Sequence, residues 1–156
     1  MFSHRPASKE DFAVIAAFPQ DAYELFYMHP RGVFPLTAEQ LEEVAKSRVR
    51  PTVITFGGQV IGYCSMYNVT DEECWLGNVI IAPPFRGKGA GQYLIQTMMH
   101  VAKTELKVKR LRLVCHNINT RALLFYVKMG FKPFDFKTMK DPNGNEIVGI
   151  MMGVEL

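Results

Sequence analysis

A glycine-rich stretch from residue 86 to residue 92 carries the clearest chemical signal in this sequence. It contains Arg-Gly-Lys-Gly-Ala-Gly-Gln and follows an apolar segment that ends at Pro83-Pro84. Glycine has no β-carbon, so backbone N–H groups in the stretch can approach a ligand closely. A helix starting directly after it would add free N–H groups and a favourable dipole, and Arg86 and Lys88 would add positive charge. The stretch therefore predicts a site for a phosphate-bearing ligand.

Two common phosphate-binding motifs do not fit this loop. The P-loop requires Ser or Thr directly after its Gly-Lys pair, but Gly89 follows Lys88. The dinucleotide fingerprint requires a third glycine where Gln92 stands. The ligand class must therefore be inferred from other parts of the chain.

The residue pattern around the loop predicts one domain, residues 1–156, with a mixed α/β sheet. Strands are predicted from apolar and β-branched runs at 2–6, 52–56, 59–69, 74–82, 111–115, 131–138 and 147–154. Helices are predicted after Ser8, after Thr37, from Gly89 to about Leu106 and from Asn119 to Gly130. Prolines and glycines make a clean long helix unfavourable over 18–36. Three strands run consecutively before the third helix, which favours a mixed sheet over a doubly wound parallel one.

Composition excludes several classes of protein. The chain is 48% hydrophobic with a net charge of +3, which is not typical of a disordered chain. No apolar run approaches the roughly 18 residues of a membrane span, and the N-terminus shows no export signal. The three cysteines, Cys64, Cys74 and Cys115, are odd in number and widely spaced, which favours reduced thiols over disulfides or a metal site. We therefore expect a cytoplasmic protein with no metal and no membrane partner.

Charge is distributed unevenly along the sequence. Residues 1–78 contain 6 Lys+Arg and 10 Asp+Glu, and residues 79–156 contain 12 and 5. The basic half suits an anionic ligand, and the acidic half suits a cationic one. The basic cluster from Lys107 to Arg112 has no interleaved aromatic residues, so nucleic-acid binding is the weakest of the functional hypotheses.

Two motifs in order carry a family resemblance. The residues from Arg86 to Gly91 resemble the Arg/Gln-x-x-Gly-x-Gly/Ala signature of the GNAT superfamily of N-acetyltransferases. About thirty residues later, Asn119, Ala122, Tyr126 and Gly130-Phe131 resemble its second motif. The resemblance extends over nearly the whole chain. It implies a GNAT-like fold of about seven strands and four helices, with strands 4 and 5 splayed around the cofactor.

The resemblance also implies acetyl-coenzyme A as the acetyl donor. The diphosphate would rest on the glycine-loop amides, and the pantetheine arm, with its two amides, would pair with the edge of the fourth strand. The implied cofactor-binding residues are Val79, Ile80, Ile81, Arg86, Gly87, Lys88, Gly89, Ala90, Gly91, Gln92, Asn119, Ala122, Phe125, Tyr126 and Lys128. The implied reaction is direct acetyl transfer to a primary amine of a small molecule, peptide or protein.

Direct transfer requires a proton donor and a proton acceptor. The leaving thiolate benefits from a donor, and the resemblance suggests Tyr126. In some relatives a glutamate five residues before the motif asparagine acts as the general base, but this sequence has Val114 at that position. The candidates for the proton acceptor are Glu72, Glu73, His116, Asn78 through a water, or a water chain. Glu73 is the preferred candidate because strand alternation would point it into the cleft.

In the family, the segment between the first two helices contributes to the acceptor site. Here Phe26, Tyr27 and Met28, with Asp21 and Glu24, would suit a cationic amine on an apolar body. Alternatively, these aromatic residues form a small core of their own. A second functional hypothesis is an acyl-coenzyme A sensor without turnover. A monomer and a homodimer are both compatible with the sequence.

Overall fold

The computed structural model describes residues 1–156 and contains a single seven-stranded sheet with five helices. The strands are β1 (Phe2–Pro6), β2 (Val49–Phe56), β3 (Gln59–Tyr67), β4 (Glu73–Ile81), β5 (Arg110–His116), β6 (Lys132–Lys140) and β7 (Glu146–Glu155). The helices are α1 (Asp11–Ala16), α2 (Ala22–Met28), α3 (Ala38–Ala45), α4 (Ala90–Thr104) and α5 (Thr120–Lys128). The predicted mixed sheet of seven strands is confirmed.

The sheet opens between its two central strands. The strand order is β1-β2-β3-β4-β5-β7-β6, and only the β4–β5 pair is parallel. That pairing is limited to Glu73–Trp75 against Arg110–Arg112, after which the two strands diverge. The predicted splay of strands 4 and 5 is therefore confirmed, and it leaves one edge of β4 without a partner strand.

Two tight turns join the antiparallel strand pairs β2–β3 and β6–β7. Gly57 and Gly58 join β2 to β3 with φ angles of +57° and +80°, which a two-residue hairpin turn requires. In the β6–β7 turn, the Asp141 side chain accepts hydrogen bonds from the backbone N–H groups of Asn143 and Asn145. Both turn types therefore follow from the residues between the strands.

Helices cover both faces of the central sheet. Every residue from Val60 to Met66 in β3 is buried, which requires cover on both faces. Phe12 of α1 packs edge-on against Tyr63 with ring centroids 5.9 Å apart, and α4 also packs on β3. The longest helix, α4, has 15 residues, and no helix combines the length and apolarity of a membrane span.

The helix count differs from the prediction by one, because a short helix, α2, forms inside residues 18–36, where only a long helix was predicted to be unfavourable. Asp21 caps this helix, since its side chain accepts a hydrogen bond from the Glu24 N–H at 2.8 Å. The helix spans only seven residues and ends two residues before Pro30. The prolines therefore limited the helix length, and the capping residue was the signal for its start.

Candidate active site

A cavity of about 590 Å³ occupies the space where β4 and β5 diverge. Its volume is within the range of small-molecule sites. The strands, the glycine loop, α2, α4 and α5 all contribute to its wall. The lining residues are Glu24, Tyr27, Met28, Leu76–Ile81, Arg86, Gly87, Gly89, Gly91, Gln92, Leu113–His116, Asn119, Arg121, Ala122, Phe125 and Tyr126.

The glycine loop presents a run of unpaired backbone donors. The first backbone hydrogen bond of α4 runs from the Tyr93 N–H to the Gly89 carbonyl at 3.1 Å. The six N–H groups from Gly87 to Gln92 therefore donate to no protein acceptor. Gly87 and Gly89 have φ angles of +73° and +89°, which glycine adopts without the strain that a side chain would cause. The loop has the donors and the dipole that a diphosphate requires.

The positive charge beside the loop comes from a residue that sequence reasoning did not assign. Arg86 was expected to face a phosphate, but it donates to the Ile81 carbonyl and forms an ion pair with Glu24 at 2.9 Å. Arg121 has no ion-pair partner, lines the cavity, and lies with Nη2 close to Gly87. Its position at the start of α5, two residues after Asn119, was the available signal.

The exposed edge of β4 lies along the same cavity. Val79, Ile80 and Ile81, which were predicted to bind the cofactor, line this cavity, and the pairing of β4 with β5 has ended before this point. Asn78 has a φ of +58°, which interrupts the regular alternation of the strand. Its side chain donates to the Met28 carbonyl and contacts the Ser65 hydroxyl at 3.1 Å. Asn78 therefore ties β4 to α2 and β3.

The predicted proton donor lies in the cavity wall. Tyr126 is 8% exposed, packs edge-on against Phe131, and its hydroxyl forms no hydrogen bond within the protein. Burial raises its pKa above the ordinary value, so the phenol keeps its proton. Asn119 also lines the cavity and makes no side-chain cap on α5, so its amide is free for a ligand.

The structure does not bring Glu73 to the cavity. Glu73 accepts from the Trp75 indole at 3.1 Å and pairs with Arg112 at 3.3 Å, in the part of the sheet where β4 and β5 remain joined. Glu72 is exposed and pairs with Lys109. Side-chain alternation along β4 does fix the face on which Glu73 lies, but β4 and β5 separate only after Trp75, beyond this residue. The prediction of Glu73 as the base is therefore wrong in position, because the side chain does not reach the cavity.

His116 remains as a basic side chain of the cavity. It is 3% exposed, its ring lies 4.4 Å from the ring of Phe26, and its buried Nε2 has no hydrogen-bond partner. Burial, with a smaller effect of Lys137, lowers its pKa to about 4. The imidazole is therefore neutral near pH 7 and can accept a hydrogen bond from a ligand.

The expected acceptor segment divides into lining and supporting residues. Tyr27 and Met28 line the cavity, while Phe26 lies behind His116. The carboxylates of Asp21 and Glu24 are occupied, by the α2 cap and by Arg86 respectively. The expected attraction of free carboxylates for a cationic amine is therefore absent from these two residues.

Three residues predicted to bind the cofactor are not part of the cavity lining. Lys88 is exposed at the loop surface, Ala90 is fully buried in the core, and Lys128 lies at the far end of α5. The cysteines are free and buried, and burial raises the pKa of Cys115, the one in the cavity wall, to about 11. A thiol held in its protonated form is a poor nucleophile.

The fold and the cavity bring a row of unpaired N–H groups and an open strand edge together between two splayed strands. The sequence matches the acetyltransferase (GNAT) family over residues 14–131. The chain therefore belongs to this family.

Solved structures share the fold at low sequence identity. Spermidine N-acetyltransferase from Vibrio cholerae, in complex with coenzyme A and spermine, superposes with a TM-score of 0.82 at 19% identity, covering 99% of this chain and 95% of that chain. The ribosomal-protein-S18-alanine N-acetyltransferase from Escherichia coli gives 0.75 and 19%, covering 99% and 94%. A GNAT family acetyltransferase from Elizabethkingia anophelis with acetyl-CoA bound gives 0.71 and 21%, covering 99% and 98%.

Proposed function

We propose that this protein transfers an acetyl group from acetyl-coenzyme A directly to a primary amine. The observation that carries the proposal is the row of six unpaired N–H groups from Gly87 to Gln92, which meets the open edge of β4 in one cavity. Acetyl-coenzyme A has a diphosphate for the first feature and two pantetheine amides for the second. The family membership supports the same donor.

Binding of the donor follows from the chemistry of the lining. The loop N–H groups and the α4 dipole suit the diphosphate, and Arg121 supplies a cation beside Gly87. The free backbone groups of Val79 to Ile81 suit the pantetheine amides, which can add to β4 as a strand does. The free amide of Asn119 is available to the same arm. This arrangement directs the thioester toward Tyr126.

The transfer forms one bond and breaks one bond. The acceptor nitrogen bonds to the acetyl carbon, and the bond between this carbon and sulfur breaks. Tyr126 gives its proton to the departing sulfur, and its hydroxyl is free to do so. The phenol recovers a proton from water after the thiol leaves. No step requires a covalent enzyme intermediate, which agrees with the buried thiols.

The acceptor nitrogen must lose a proton during the transfer. His116 is neutral and lines the cavity beside Tyr27 and Met28, so we assign its ring a hydrogen bond from the acceptor amine. A pKa of about 4 means that the imidazole holds a proton poorly, so the proton continues to water. His116 thus orients the lone pair of the acceptor nitrogen, and the proton of this nitrogen moves on to water.

Thiol release measured with a panel of amines tests the function. We expect acetyl-coenzyme A to bind and free thiol to appear only when a suitable amine is present, with an equal amount of N-acetyl product by mass spectrometry. Calorimetry measures the binding of acetyl-coenzyme A. Tight binding without thiol release from any amine contradicts transfer and favours the acyl-coenzyme A sensor. Absence of binding contradicts both.

A further inference from the structure

Arg48 is a partly buried cation for which the protein supplies no counter-ion. It lies between α3 and β2, and its guanidinium carbon lies 4.3 Å from the centre of the Tyr67 ring. The guanidinium forms no ion pair, and its Nη1 is fully buried without a hydrogen-bond partner. The three other half-buried arginines, Arg86, Arg110 and Arg112, each have a carboxylate oxygen within 4 Å. A buried donor without a partner is rare and requires an explanation.

The guanidinium lies against the cavity wall, behind Gly77, although Arg48 is not itself a lining residue. The space that a β-carbon at Gly77 would take is filled by Nη1 of Arg48, and Gly77 itself lines the cavity. Ser65, the strand partner of Gly77, donates a hydrogen bond to the Asn78 side chain, and Asn78 in turn donates to the Met28 carbonyl of α2. This part of β4 therefore lies next to α2. Tyr27 and Met28 of α2 form the wall there. The glycine loop, by contrast, follows the other end of β4. Arg48 is therefore next to the part of the cavity left for the acceptor.

The charges around the acceptor side have an unexpected sign. Glu24 is the only acidic residue in the cavity lining, and it is paired with Arg86. Asp141, which reaches Tyr23 of α2, is occupied by that hydroxyl and by its own turn. Arg48 also lowers the pKa of nearby His29, after the larger effect of burial. The unpaired charge on this side is thus positive.

We propose that Arg48 binds an anionic group of the acceptor, so that the acceptor is an amine that also carries a carboxylate. The inference rests on the proposed acetyl transfer and names its substrate class. A carboxylate matches the planar donors of a guanidinium and would supply the missing counter-ion. Tyr67 holds the guanidinium plane in place by stacking, which limits the entropy lost on binding. Polyamines, which carry only cationic groups, are disfavoured by the same charge.

Matched acceptor pairs test this proposal. The panel contains amino acids with one to five carbons between amine and carboxylate, each with its uncharged carboxamide counterpart. We expect the acid to have the lower KM in at least one pair. In Arg48→Gln this KM should rise about 10- to 100-fold, the loss expected for a charge-assisted contact, while the carboxamide KM and the KM for acetyl-coenzyme A remain unchanged.

Arg50→Gln is the matched control. Arg50 lies two residues further along, and its exposed side chain pairs with Glu105. This variant should leave every KM unchanged. Equal KM values for acid and carboxamide in the unmodified protein, or an equal rise for both in Arg48→Gln, would overturn the proposal.

An NMR titration separates this proposal from acetyl transfer itself. Binding of an amino acid should place a negative charge near His29 and raise its pKa, and the matching carboxamide should not. The shift should be absent in Arg48→Gln. If no amine releases thiol, acetyl transfer fails, and the His29 titration alone still decides whether Arg48 binds a carboxylate. An unchanged His29 titration with every amino acid would overturn the Arg48 site.

Discussion

Glu24 of α2 and Arg86 of the glycine loop form an ion pair with an N–O distance of 2.9 Å, which joins the α2 wall of the cavity to the glycine loop. Both side chains are about 30% exposed. Arg86 also donates to the Ile81 carbonyl at the end of β4. One arginine thus connects α2, β4 and the loop, and it holds the loop in the conformation that exposes its N–H groups.

Removal of the charge at Glu24 should loosen this connection. We expect Glu24→Gln to lower the free energy of unfolding by about 1 kcal/mol, because the pair is only partly screened by solvent. The KM for acetyl-coenzyme A should rise, since the loop loses a support. Thermal unfolding and steady-state kinetics measure the two effects. Glu43→Gln, which breaks an exposed pair with Lys46, should change neither quantity.

Gly89→Ala should weaken coenzyme A binding more than it weakens the fold. The φ of +89° disfavours any side chain by roughly 1–2 kcal/mol, and relief of this strain would turn the loop N–H groups away from the diphosphate. Calorimetry should show an affinity lower by about tenfold or more. Gly58→Ala is the control, because it has a similar backbone cost at φ +80° but lies in the β2–β3 turn. Normal coenzyme A affinity in Gly89→Ala would argue against the amide site.

Tyr126→Phe should reduce turnover while preserving binding. The substitution removes only the hydroxyl, which has no partner in the protein, so packing against Phe131 is retained. Loss of a general acid typically lowers the rate by about 100-fold or more. The affinity for acetyl-coenzyme A should change by less than about twofold. Tyr93→Phe, which removes an exposed contact to His4, serves as the control. An unchanged rate would remove Tyr126 from the mechanism.

His116→Phe tests the group assigned to the acceptor amine. An aromatic ring at this position can keep the contact with Phe26 but has no nitrogen. We expect a lower turnover number with unchanged coenzyme A affinity. Because the pKa of His116 is about 4, the rate of the unmodified protein should show no step from this residue between pH 5 and 8. A titrating step near pH 6.5 that disappears in His116→Phe would contradict the buried, neutral state.

Asp11 should make the fold sensitive to acid. A bidentate hydrogen bond from Arg5, at 2.7 and 2.9 Å, together with Ser8, lowers the Asp11 pKa from 3.8 to about 2 against the opposing effect of burial. The folded pKa lies below the unfolded one, so the stabilisation is present above about pH 4 and is lost as the pH falls toward 2.

Denaturant unfolding at several pH values measures this contribution, which is roughly 2 kcal/mol at pH 7. The difference between the unmodified protein and Asp11→Asn should shrink as the pH falls from 4 to 2. Asp71→Asn, at an exposed position, should show no such difference at any pH. A gap that does not depend on pH would rule out the ionised Asp11 as its cause.

The sequence by itself determined most of the elements, though not α2, and the glycine loop before α4. Alternating apolar residues, the Gly57-Gly58 and Asp141 turns, and the glycines before α4 act within a few neighbouring residues, so each constrains its own backbone locally. The loop donors at Gly87 to Gln92 are a local property as well. For this reason the phosphate-bearing ligand could be inferred before any tertiary contact was known.

Only the tertiary structure decided which charges remain free. Arg86 and Glu73 have residue types suited to chemistry, yet Glu24 and Arg112 neutralise them from distant parts of the chain. Arg121 had only its position near Asn119 as a local signal and Arg48 had none, and both are left without counter-ions. An ion pair depends on which side chains the fold brings within a few ångströms, and this distance does not follow from sequence spacing.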